Sequence, residues 1–140
     1  MDFDLQLIES ITSQVKAAKP NDNGYDIELN NPIKLIAEVK VNIPINNGTR
    51  YGGSHKNGIT KDINSLFNGK TKSDINSTTD YYKFMVFLDK PEVREATLYH
   101  INSKQEWTGK INIVDINTSV EYTDVVYIVF MSTDLVLNPL

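Results

Sequence analysis

The run Leu35-Ile36-Ala37-Glu38-Val39-Lys40-Val41 constrains the fold of this chain more than any other stretch. Its aliphatic content is that of a buried strand, yet it carries an acid and a base two residues apart. Successive side chains of a strand alternate faces, so Leu35, Ala37, Val39 and Val41 line one face while Ile36, Glu38 and Lys40 line the other. Upstream, Asn23-Gly24-Tyr25-Asp26-Ile27-Glu28-Leu29 reads as a partner strand, and Asn30-Asn31-Pro32 supplies turn chemistry between the two. An antiparallel hairpin centred on Pro32 sets Asp26 opposite Glu38, with Cβ atoms roughly 4.5–5.5 Å apart. Two carboxylates at that spacing repel unless a cation lies between them.

The cation that suits such a pair is Mg²⁺, a hard ion held by one or two carboxylates and several waters, with room left for phosphate oxygens. Lys40 stands beside it, where an ammonium can stabilise a forming hydroxide or a phosphorane-like transition state. Asp26 followed by Glu38-Val39-Lys40 on the next strand resembles the PD-(D/E)xK nuclease superfamily, with Tyr25 where the family motif has Pro. The resemblance implies Asp26 and Glu38 as metal ligands, the Val39 carbonyl as a further ligand, and Lys40 as the group that assists the attacking water. It also implies Mg²⁺ as cofactor with Mn²⁺ as a substitute, and DNA, double-stranded in preference, as partner. Within that superfamily the resemblance is to a small type II restriction endonuclease or a domain of one, for which a homodimer is a compatible assembly.

The 140 residues suffice for one domain with a real core. The net charge of −4 at first disfavours a phosphate partner, because affinity for nucleic acid draws on Lys and Arg. Distribution answers part of that objection: Arg50, His55, Lys56, Lys61, Lys70 and Lys72 follow the candidate site closely, against the single acid Asp62. These six are the candidate nucleic-acid-binding residues. With no cysteine, thiolate metal sites and disulfides are excluded, which fits a reducing cytoplasm. No Arg-rich or apolar leader precedes the first predicted helix, and the longest aliphatic and aromatic run, Val125 to Met131, is far too short to span a bilayer. A cytoplasmic protein with no membrane partner is expected.

Along the chain, Leu5, Ile8, Ile11 and Val15 predict a helix over 2–18, with Glu9 away from its apolar stripe. Ile59, Ile63, Leu66 and Phe67 predict a second helix from about Ser54 to Asn68, stopped by Gly69. Projected at 100° per residue, Lys56 falls on the inward stripe and Lys61 points nearly opposite. Lys56 is therefore expected to face the carboxylates as a fourth catalytic candidate, with His55 as the substitute. The Gly-rich segment 46–54 lacks the Gly-Lys-Ser/Thr of a phosphate-binding P-loop. Four further strands are predicted, over 81–88, 96–101, 111–116 and 125–131.

The expected class is α/β: a restriction-endonuclease-like αβββαβ core over about 2–89, with a mixed central sheet flanked by helices and variable C-terminal strands over about 95–131. The expected function is metal-dependent endonucleolytic hydrolysis of DNA. Two alternatives stay open. The same fold can serve as a non-catalytic nucleic-acid-binding or assembly module, and the hairpin can belong to a structural or interaction protein in which Glu38 and Lys40 form an exposed pair worth about 0–1 kcal/mol.

Overall fold

The computed structural model describes residues 24–44, 48–71, 73–115 and 117–132. The predicted helix over 2–18, with Glu9, lies outside the described residues, as does Lys72. Within them the chain runs β1 (Ile27–Leu29), β2 (Leu35–Lys40), α1 (Gly53–Asn68), β3 (Tyr82–Leu88), α2 (Pro91–Asn102), a 3₁₀ turn (Gln105–Trp107), β4 (Ile111–Val114) and β5 (Val126–Met131). The strands form one mixed sheet in the order β1-β2-β3-β5-β4. Only the β1–β2 pair is antiparallel; β2–β3, β3–β5 and β4–β5 are parallel. An α/β fold is thus what the described residues adopt.

The hairpin register follows the sequence pattern. Ile27 faces Ala37, Glu28 faces Ile36 and Leu29 faces Leu35, so one further step along the ladder sets Asp26 opposite Glu38. Strand parity holds too. Ile36 joins Met85, Phe87, Val126 and Ile128 on one face, against Ile59, Ile63 and Leu66 of α1 and Val93, Ala96 and Ile101 of α2. Leu35, Ala37, Phe84, Val86 and Tyr127 share the other face. Both described helices therefore cover the face that carries Glu38 and Lys40. Strand β3 is central and buried along nearly its whole length, which accounts for its near-continuous apolar sequence. Its one charged residue, Lys83, is buried as well and donates to the carbonyls of Thr78, Tyr81 and Thr123.

Helix α1 begins after the extended Gly52, whose carbonyl accepts the Lys56 N–H at 3.0 Å, and ends at Gly69. Gly69 has φ 91°, a left-handed conformation that a side chain disfavours, and its N–H closes the helix on the Ser65 carbonyl at 2.8 Å. The predicted strand over 96–101 is instead the second half of α2. Its buried positions Val93, Ala96, Thr97, His100 and Ile101 recur at helical spacing, and Pro91 occupies the start, where its missing N–H costs nothing. Read from Ala96 alone, only half of that stripe is visible. The predicted strand over 111–116 ends at Val114.

Candidate active site

Asp26 stands one residue before β1. Its Oδ2 accepts the backbone N–H of Val39 at 2.8 Å, a bond from one strand of the hairpin to the other that fixes the carboxylate at the sheet edge. In an extended strand the N–H and C=O of one residue point to the same side, so the Val39 carbonyl is turned toward Asp26 as well. Tyr25 anchors this end of the hairpin to α1: its ring is buried, and its hydroxyl donates to the Ser65 carbonyl at 2.6 Å. Burial, together with the nearby carboxylates of Glu38 and Glu28, pushes the Tyr25 phenol up to about 12. The hydroxyl therefore stays a donor throughout the neutral range.

Glu38 is 4% exposed, and the hairpin ladder, carried one step past Ile27↔Ala37, sets it opposite Asp26. Burial pushes its pKa up to about 7; the Lys70 ammonium pulls against that, and the Asp26 carboxylate adds to it. Lys70 Nζ closes on Glu38 Oε1 as an ion pair. The same ammonium donates to the Gly24 carbonyl at 3.1 Å and sits 4.9 Å from the centre of the Tyr25 ring. Lys70 follows Gly69 directly, so the glycine that ends α1 also turns this lysine back toward β2.

Lys40 shares the Glu38 face, but its ammonium reaches across to α1 and pairs with Asp62 Oδ2 at 2.7 Å. It also lines a cleft of about 220 Å³ with Asn42, Tyr51, Ser54 and His55. His55 is the substitute candidate that does come to the Lys40 side. Asn42 Nδ2 lies 3.3 Å from its Nε2.

The other basic candidates lie elsewhere. Lys56 is exposed and is found in no ion pair with the carboxylates; the neighbouring part of α1 turns toward α2. Thr60, one turn on, bonds the His100 imidazole at 2.9 Å. The inward stripe projected from sequence thus points at the sheet through Ile59, Ile63 and Leu66 but not in the first turn. Arg50 pairs with Glu95 at 3.6 Å and stacks its guanidinium 3.8 Å from the Tyr99 ring, also on α2. Lys61 is exposed. Sequence reasoning gave Asp62 no role and treated Lys70 only as a phosphate contact. The available signal was their position on and just after α1, which alone does not reveal which strand residues they meet.

Among the described residues no three His, Cys, Asp or Glu side chains gather around one point. The donor set of Asp26, Glu38 and the Val39 carbonyl is all hard oxygen, which fits Mg²⁺ with waters completing its shell. Two carboxyls set opposite each other across the hairpin call for positive charge, met in part by Lys70. No family model, curated protein or solved structure matches the chain.

Proposed function

We propose that this chain is a metal-dependent phosphodiesterase, an endonuclease of PD-(D/E)xK type acting on DNA with Mg²⁺, or Mn²⁺ in its place. The observation that carries the reading is the buried Glu38 carboxyl set opposite Asp26 across the hairpin, with Lys40 projecting from the same strand face. The order of a hairpin, then α1, then a parallel β3 is compatible with part of the expected αβββαβ core, although the described residues place two strands, not three, before α1.

When bound, the ion supplies Lewis acidity to the scissile phosphate and its attacking water. Asp26 and Glu38 would hold it, and the Val39 N–H bond fixes the Asp26 carboxylate in place. Lys40 offsets the negative charge that builds as the water oxygen bonds to phosphorus and the bond to the leaving alcohol oxygen breaks. Lys70 keeps Glu38 oriented from the other side.

A second reading, a non-catalytic nucleic-acid-binding module, is favoured by one observation. Both charges of the Glu38-Lys40 pair are already neutralised within the chain, by Lys70 and Asp62. Incubation with supercoiled, linear and branched DNA, in Mg²⁺, Mn²⁺ or EDTA, separates the two. Cleavage in either ion and none in EDTA is expected; binding without cleavage in any condition selects the module.

A further inference from the structure

Glu38 and Lys40 lie on one face of one strand, two residues or about 6.6 Å apart along it, close enough for long side chains to meet. They do not pair with each other. Each takes its opposite charge from the α1 segment: Glu38 from Lys70, just past the helix, and Lys40 from Asp62 within it. The Lys40 ammonium is 2.7 Å from Asp62 Oδ2, and a Cβ placed on Gly58 would stand 3.7 Å from it. Gly58 and Asp62 are one helical turn apart, so the ammonium is seated against one side of α1, with open space at the first position and negative charge at the second. The side chains are only 27% and 18% exposed, so water and salt screen the pair less than a surface pair.

Resting on the phosphodiesterase reading above, we infer that Asp62 is a positioning residue for Lys40, fixing where its ammonium stands relative to the Asp26–Glu38 carboxylates. A lysine stem has four flexible carbons, and a charge stabilises a transition state only where it is held in place. Without Asp62 the ammonium is free to swing into the adjoining cleft toward Asn42 and His55, which already lines that wall.

The test measures steady-state cleavage for Asp62→Asn, Asp62→Glu and Lys40→Ala, and for Asp62→Asn combined with Lys40→Ala. Asp62→Asn is expected to lower kcat about tenfold or more with KM and divalent-ion dependence unchanged, an effect of charge placement rather than of binding. Asp62→Glu restores part of the loss, and Asp62→Asn adds nothing once Lys40 is alanine. A wild-type kcat in Asp62→Asn, or an equal loss in the Lys40→Ala background, overturns the inference. Urea unfolding of Asp62→Asn, Lys40→Met and the double variant reads the pairing without reference to activity. Non-additive midpoint shifts are expected, and additive ones overturn the pairing. If the wild type cleaves no nucleic acid, the phosphodiesterase reading falls and takes the catalytic role of Asp62 with it, while the urea cycle still decides whether Asp62 holds Lys40.

Discussion

At Glu38, burial and a neighbouring carboxylate act in the same direction, and the outcome is a side chain that titrates in the neutral range. Its folded pKa of about 7 lies above the ordinary value of 4.5, so between these two pH values the folded chain holds a proton that the unfolded chain has lost. The stabilisation this gives is complete below about pH 4.5 and is lost as pH rises through 7, on the order of 3 kcal/mol in all. Urea unfolding in EDTA between pH 5 and 8 is expected to show that fall in the wild type and a flatter profile in Glu38→Gln; matching slopes would assign the effect to another group. Divalent-ion affinity is expected to rise over the same range, because the ligand must be ionised. Lys40→Ala should cost about 10²–10³ in cleavage rate with ion affinity nearly unchanged. Asp26→Asn should weaken ion affinity, with partial recovery in excess Mn²⁺; calorimetric titration with Mn²⁺ distinguishes the two variants. Asp26, Glu38 and Lys40 were legible because alternation along a strand assigns faces without knowledge of the rest of the fold. Asp62 and Lys70 were not, since their meaning depends on where α1 crosses β2, a tertiary fact with no local signature.

Among the elements, the β1–β2 hairpin followed from its turn residues and α1 from its stripe and its terminal glycine, whereas α2 was misread. The segment Ala96 to Ile101 holds fewer than two helical turns, too short a window to separate helical from strand spacing, and Pro91 resembles a break until it is seen as a helix start. Gly69 joins two functions, ending α1 and directing Lys70. Gly69→Ala forces a side chain into the left-handed region and is expected to cost about 1–2 kcal/mol of stability in urea unfolding. Lys83 ties the Thr78–Tyr81 turn and the entry to β5 into the centre of the sheet by donating to three carbonyls. Lys83→Met leaves those carbonyls without their donor, at about 1–3 kcal/mol for each one that stays buried and unsatisfied. A melting temperature equal to the wild type's would show that they find other partners.

For a molecule of net charge −4, the diversion of Arg50 and Lys56 toward α2 leaves few cations among the described residues facing the candidate site. DNA binding is therefore expected to involve about 2–3 phosphates, with a shallow slope of log K against log salt of roughly −2 to −3. A slope near −6, measured by fluorescence anisotropy on a labelled duplex, would mean that a much wider basic surface takes part. The groups that form the site, from the Gly24 carbonyl through Asp26, Glu38 and Lys40 to Asp62 and Lys70, all fall within one continuous stretch of chain ending at Lys70. Strands β3 to β5 and α2 serve as the support on which that stretch rests. Heredity could therefore treat the two portions differently: a single crossover in the polar segment after Lys70 would hand on every one of these groups and exchange only their support, so mosaic descendants sharing little sequence beyond that point would still carry the same set of side chains.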